Sequence, residues 1–315
     1  MSDPKRMAGR WLAAAFVSAV ALSGCVTTQS GQPDAPGGAA AALAASKGGE
    51  KLDPAYRDLL LSHGGRALET DKLEEAASAY KRILNAEPEN GDATLGLAET
   101  MLAAGNYPEA LGYYRALGGK QAFRARALQG EGIALLALGQ SQQSVESLRQ
   151  AVAADATLWR AWNALGRTLD IQGKHDEAKV AYDRALAIEP GAPAVLNNRG
   201  VSAMLAGRYA DAERDLRAAM EKDRELDRAR SNLRLVLAWQ GKYGEALADV
   251  SRVDAPVVLN NIGYIAMKRG DLGHAEAYFA QAMQMSPAFY DKADRNLKYL
   301  QEMKKLQKLA DGKAG

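Results

Sequence analysis

Apolar residues return at helical spacing from about residue 53 to residue 300, and the pattern repeats every 34 residues. With the first position of a frame set at Arg57, successive frames start at Gly91, Ala125, Trp159, Pro193 and Asp227. The apolar residues at positions 4, 7 and 11 of the frames, and those at positions 20, 24 and 27, keep the intervals of an amphipathic helix. A glycine recurs at or near position 15, where one helix must stop and a turn begin. The pattern predicts a pair of antiparallel helices per frame, and a fixed period of this length marks a stack of such pairs.

The fourth frame is the fullest, with Trp162, Leu165, Gly166, Gly173, Ala178, Tyr182, Ala185 and Pro190 at positions 4, 7, 8, 15, 20, 24, 27 and 32. Position 8 elsewhere is Gly64, Ala98, Gly132, Gly200 and Gly263, with Arg234 the exception. Position 20 is Ala76, Ala110, Ser144, Ala212, Ala246 and Ala275. Two helices approach to about 8 Å only where neither carries bulk at the crossing. Together these residues resemble the tetratricopeptide repeat signature. The resemblance implies an all-α fold, a right-handed superhelical solenoid of helical hairpins whose first helices line a concave groove.

A seventh frame starts at Pro256, with Leu259, Ile262, Gly263, Ala275, Phe279, Ala282 and Pro287 in register, so the sixth frame is only 29 residues long. The missing residues fall after Ala246 and are expected to shorten the second helix or its exit turn near Ser251 to Asp254. About seven repeats are therefore expected over 53–289. Ala293, Leu297 and Leu300 then continue at helical spacing among charges, which suits a capping helix over 290–309, with a disordered tail at 310–315.

The N-terminus follows a different pattern. Lys5, Arg6 and Arg10 precede an apolar run from Trp11 to Ala21 that is too short to span a bilayer, so residues 1–24 read as a removable export signal. Leu22-Ser23-Gly24-Cys25 resembles the lipobox of bacterial lipoproteins, in which the cysteine takes a diacylglycerol and an N-acyl chain. That resemblance implies an anchor at Cys25, the only cysteine of 315 residues, and Val26 after it resembles the sorting pattern for an outer-membrane, periplasm-facing lipoprotein. No disulfide is available to such a chain, and no other cofactor is expected. From Val26 to Leu52 the composition is Gly, Ala, Ser, Thr, Gln and Pro, too poor in large apolar groups to order itself. Residues 25–52 are expected to be a lipidated tether with a span of about 30 Å.

Charge and motifs narrow the function. Loss of the signal removes three basic residues and one acidic one, which lowers the formal charge from +2 to about 0 and argues against nucleic acid. His63, His175 and His274 lie in different frames and none belongs to a helical zinc-protease motif, nor does any glycine-rich loop end in Lys followed by Ser or Thr. No enzyme, metal or small-molecule substrate is indicated, and the expected partners are proteins or peptides. The groove implied by the resemblance would be lined by Asn163, Arg167, Asn197, Met204, Asn232, Leu235, Trp239, Asn260, Tyr264 and Met267. An amide both donates and accepts, so the asparagines could pair with the backbone of an extended peptide. The alternative is that they bond between neighbouring helices.

An acylated cysteine, a Gly/Pro-rich tether and six to seven repeats resemble the TadD family of the tight adherence (Flp) pilus apparatus. The stretch from Ala192 to Gly200, and that from Asp227 to Ala238 with Gly241, are similar to paired repeats of that family. The resemblance implies a part in assembling the pilus or its secretin. A periplasmic adaptor that recruits proteases or murein hydrolases is the second class open to the same architecture, and a type IV pilotin is a third.

Overall fold

The computed structural model describes residues 52–285 and 290–311. The export signal, Cys25, the tether up to residue 51, Pro287 and the tail from 312 lie outside the described residues. All elements among the described residues are helices, and the chain divides into two compact units at Pro190 and Gly191.

The first unit holds four hairpins: α1 (Pro54–Glu69) with α2 (Leu73–Ala86), α3 (Gly91–Ala103) with α4 (Tyr107–Leu117), α5 (Arg124–Ala137) with α6 (Ser141–Ala154), and α7 (Trp159–Ile171) with α8 (His175–Ile188). The second unit holds α9 (Pro193–Leu205) with α10 (Tyr209–Lys222), α11 (Asp227–Trp239) with α12 (Tyr243–Ala246), α13 (Ala255–Arg269) with α14 (Leu272–Met285), and a final helix α15 (Tyr290–Asp311). Helix α15 runs two residues past the expected end at 309. Within each unit, every hairpin packs against the next one along the chain.

Each hairpin turns through one left-handed residue at position 15: Asp71, Gly105, Gly139, Gly173, Gly207, Gly241 and Gly270. A helix whose last carbonyls lack intrahelical donors is closed by such a turn, because the following amides can fold back onto it. In the fourth hairpin Lys174 N donates to Leu169 O at 2.9 Å and Gly173 N to Asp170 O at 2.9 Å. The bond from position 16 back to position 11 recurs in every hairpin, for example Asn106 N to Met101 O and Lys242 N to Leu237 O. A Cβ at Gly173 would meet open space but would sit at φ +73°, so Gly173→Ala should cost about 1 to 2 kcal/mol through backbone strain alone. Chemical denaturation of the variant measures it, and an unchanged midpoint would place the turn elsewhere.

The helix crossings rest on the small residues. All seven position 20 side chains, from Ala76 to Ala275, are 0% exposed. Position 8 glycines receive the large side chain from position 24 of the same hairpin: a Cβ at Gly166 would lie 2.6 Å from the Tyr182 ring, at Gly64 2.8 Å from Tyr80, and at Gly263 2.9 Å from Phe279. At Gly132 and Gly200 the partners are Leu148 and Leu216. The exception, Arg234, stands in the hairpin whose second helix ends after one turn. There the chain leaves α12 at Ala246 and crosses to α13 through a loop in which Asp249 has φ 54° and Val253 is 87% exposed. With no full-length second helix to lay a large position 24 side chain there, position 8 need not be small, and the Arg234 guanidinium Nη2 donates to the Asp249 carbonyl at 3.2 Å.

Charged pairs run between second helices within a unit. Arg149 Nη2 donates to Glu177 Oε2 at 2.9 Å in the first unit, and Lys242 Nζ to Glu213 Oε2 at 2.9 Å in the second. Hydrogen bonding from Lys242 foremost, with Arg217 and Gln240 adding and burial opposing, holds the Glu213 carboxyl down from 4.5 to about 2. A carboxyl with a depressed folded-state pKa contributes stability that is present above its unfolded value and lost as pH falls towards the folded one. The second unit should therefore lose stability between about pH 4.5 and pH 2, and Glu213→Gln should flatten that slope. Thermal melting of the two forms across this window is the check. Parallel curves would mean that Glu213 does not carry the dependence.

Candidate partner-binding face

The first helices of the hairpins, α1, α3, α5, α7, α9, α11 and α13, carry the residues expected to line a groove. Asn163 and Arg167 belong to α7 in the first unit, where Asn163 is half-buried and Arg167 is exposed. The other eight lie in the second unit on α9, α11 and α13.

Five of the ten are not accessible, and the groove assignment is corrected for them. Asn197, Asn232 and Asn260 are 4%, 7% and 2% exposed, and Met204 and Met267 are likewise buried. The amides bond to neighbouring helices: Asn232 Nδ2 donates to Asn197 Oδ1 on the preceding first helix at 2.9 Å, and Asn296 Nδ2 on the final helix α15 donates to Asn260 Oδ1 at 2.9 Å. Asn197 Nδ2 in turn reaches Asn198 Oδ1 at 3.3 Å. A buried amide must find partners or lose the hydrogen bonds it had in water, and these amides find one another. They clasp neighbouring repeats instead of facing solvent.

Leu235, Trp239 and Tyr264 remain partly accessible. They sit at positions 9, 13 and 9 of their frames, and position 9 of α9 adds Val201, with Leu205 at position 13, both half-buried. Trp239 stacks on Tyr209 with ring centroids 5.7 Å apart and planes 5° from parallel, which fixes its ring. Lys268 Nζ lies 5.5 Å from the centroid of the Tyr264 ring. The face therefore offers apolar and aromatic surface held in set orientations, with exposed Arg228 and Lys268 beside it. Such a surface can grip apolar side chains.

A second cluster was not read from the sequence. Gln240, Gly241, Tyr243, Gly244, Arg269, Asp271, His274 and Tyr278 line an open cleft of about 490 Å³ beside the one-turn helix α12. Arg269 Nε donates to Tyr243 Oη and to Asp271 Oδ2, both at 3.2 Å, and the Tyr243 hydroxyl donates to Asp271. Burial, with Asp271 next, pushes the Tyr243 hydroxyl up to about 12. The rings of His274 and Tyr278 lie 5.0 and 5.8 Å from that of Tyr243. The short sixth frame was the available signal, because position 19 of α14, His274, has no second-helix partner of the kind Glu177 and Glu245 have in Arg149 and Arg217. Among the described residues no group of three or more His, Cys, Asp or Glu is placed to hold a metal, and no helix is long and apolar enough to cross a membrane.

Residues 67–131, 130–193 and 257–289 each match the tetratricopeptide repeat family, together about half of the chain. The chain is a tetratricopeptide-repeat protein. No curated protein matches its sequence. Among solved structures, a tetratricopeptide repeat protein from Parabacteroides merdae is 15% identical over 78% of this chain and 99% of its own, with a TM-score of 0.51. A thermophilic tetratricopeptide-repeat protein of Thermus thermophilus is 19% identical over 61% of this chain and 98% of its own, with a TM-score of 0.50. A chain of the APC/C hetero-tetramer Cut9-Hcn1 is 16% identical over 79% of this chain and 50% of its own, with a TM-score of 0.52. At these identities the likeness is one of fold. The tetratricopeptide-repeat protein shares with them the solenoid of helical hairpins, an architecture suited to protein–protein interaction.

Proposed function

We propose that this tetratricopeptide-repeat protein is a non-enzymatic scaffold that holds a protein partner on the first helices of its second unit, beside the outer membrane, during assembly of a tight adherence (Flp) pilus or its secretin. The observation that carries the scaffold is the accessible row of Leu235, Trp239 and Tyr264 on consecutive first helices, an oriented apolar surface that the chain's own helices leave open. The membrane location is supported by the lipobox-like Leu22-Ser23-Gly24-Cys25 and the pilus role by the likeness of the repeats to the TadD family.

Leu235→Ala, Trp239→Ala and Tyr264→Ala together remove most of that apolar surface from side chains that are not core. Aromatic anchors of this kind carry about 2 kcal/mol or more each in protein interfaces, so partner capture should weaken at least a hundredfold while the fold melts cooperatively. In cells, assembled secretin multimers and surface fibres should be lost, and labelled palmitate should enter the native chain but not Cys25→Ser. Normal multimers and fibres in the triple variant would sink the pilus reading. Altered peptidoglycan turnover with normal multimers would point to a hydrolase adaptor instead.

A further inference from the structure

We infer that the segment gripped by this face is an amphipathic helix whose apolar stripe is flanked by acidic side chains, an inference that rests on the scaffold reading of α9, α11 and α13. Two observations carry it.

The first is where the polar groups of the face point. The helices satisfy their own backbones, and the buried amides of the face, with Gln240, are engaged: Asn232 with Asn197, Asn260 with Asn296, and Gln240 Nε2 with the Tyr209 carbonyl at 3.1 Å. An extended peptide laid across Val201, Leu235 and Tyr264 would leave its own N–H and C=O groups desolvated against apolar side chains. A helix brings its backbone already paired and needs from the face only apolar contact, which is what the face supplies.

The second is charge. Helices α9, α11 and α13 carry Arg199, Arg228, Arg230, Arg234, Lys268 and Arg269 against a single carboxylate, Asp227, which pairs with Arg230. Arg199 is bound to Asp215, Arg234 to the Asp249 carbonyl and Arg269 to Asp271. Arg228 and Lys268 are exposed, at positions 2 and 13 of their frames, before and after position 9 along their helices. Basic flanks on an apolar strip complement a helix with a Leu- or Phe-type stripe bordered by Asp and Glu, and a second copy offering the same basic helices would be repelled.

The geometry gives the two ligand forms different spacings. Neighbouring first helices lie about 10 Å apart, a step that a helix rising 1.5 Å per residue makes in about seven residues and an extended strand in about three. The photo-crosslinking amino acid p-benzoylphenylalanine, placed singly at Val201, Leu235 and Tyr264 of the full chain in its own cells, records the positions it attaches to on the partner. Attachments in one segment about seven residues apart from each site to the next are expected. Attachments about three apart would overturn the helix and leave the scaffold standing. No attachment from any of the three sites, with partner capture intact, would remove the face itself and the scaffold reading with it. Arg228→Glu with Lys268→Glu, both on exposed positions and checked for native melting, should reduce attachment tenfold or more; unchanged attachment would overturn the acidic flanks.

Discussion

Replacing Arg199 by leucine is expected to destabilise the second unit by about 3 kcal/mol, although leucine is what the repeat places at that position. Position 7 is Leu165 in the fourth frame and Leu233 in the sixth, both buried core residues. In the fifth frame it is Arg199, and its guanidinium grips Asp215 with two bonds, Nε to Oδ2 at 2.6 Å and Nη2 to Oδ1 at 2.9 Å. Asp215 is only 3% exposed. Taking away one partner of a buried ion pair strands the other charge, at a cost of about 3 to 5 kcal/mol. The lower end applies because Arg214 Nε stays 3.4 Å from Asp215 Oδ1. Arg199→Leu together with Asp215→Leu removes the charge as well as its partner, and it should return to within about 1 kcal/mol of the native chain or exceed it. Urea denaturation of the two single variants and the double variant forms the cycle. A double variant as unstable as Arg199→Leu alone would show that the loss is one of packing and not of a stranded carboxylate.

The repeat fold was legible because its determinants are local and recur. A period of 34 residues, small residues at positions 8 and 20 and a turn residue at position 15 each leave a mark on the sequence, and each has one physical reason. Even the break in the pattern was visible twice, as missing residues after Ala246 and as Arg234 in place of glycine. What the sequence did not reveal was that these are one event. A small residue at position 8 matters because a large side chain at position 24, ring or leucine, lies on it, and this dependence appears once both helices are in place.

The candidate face was half legible. Spacing along a helix fixes the angle at which a side chain leaves the axis, but it does not say which angles the next repeat covers. Asn163, Asn197 and Asn260 share position 5, yet Asn163 is half-buried while Asn197 and Asn260 are buried and bonded to the next first helix and to the final helix α15 respectively. Position 12 shows the same blindness: Met204 and Met267 carry side chains suited to a groove and spend them in the core. The pairing of Asn232 with Asn197 joins residues 35 apart in the chain, a contact set by how two repeats stack and not by any pattern within one.

The glycine-to-ring contact makes a coupled prediction that separates packing from propensity. Tyr182 is 1% exposed, its ring lies over Gly166, and its hydroxyl donates to Asp170 Oδ2 at 2.8 Å. Tyr182→Ala should cost about 3 to 5 kcal/mol, the range for emptying an aromatic side chain from a core. Gly166→Ala puts a methyl group 2.6 Å from that ring. The ring cannot yield without leaving its site, so about 1 to 3 kcal/mol should be lost, which exceeds the roughly 1 kcal/mol that alanine gains over glycine inside a helix. In the Tyr182→Ala background the obstruction is gone. There Gly166→Ala should become neutral or stabilising, so that the double variant is more stable than the summed single losses by at least about 1 kcal/mol. Hairpin six already carries the natural counterpart, with a second helix that ends at Ala246, before position 24, and Arg234 in the place of glycine. Additive losses in the cycle would mean that glycine is kept at position 8 for its backbone and not for the ring above it, and the explanation of Arg234 would fall with that result.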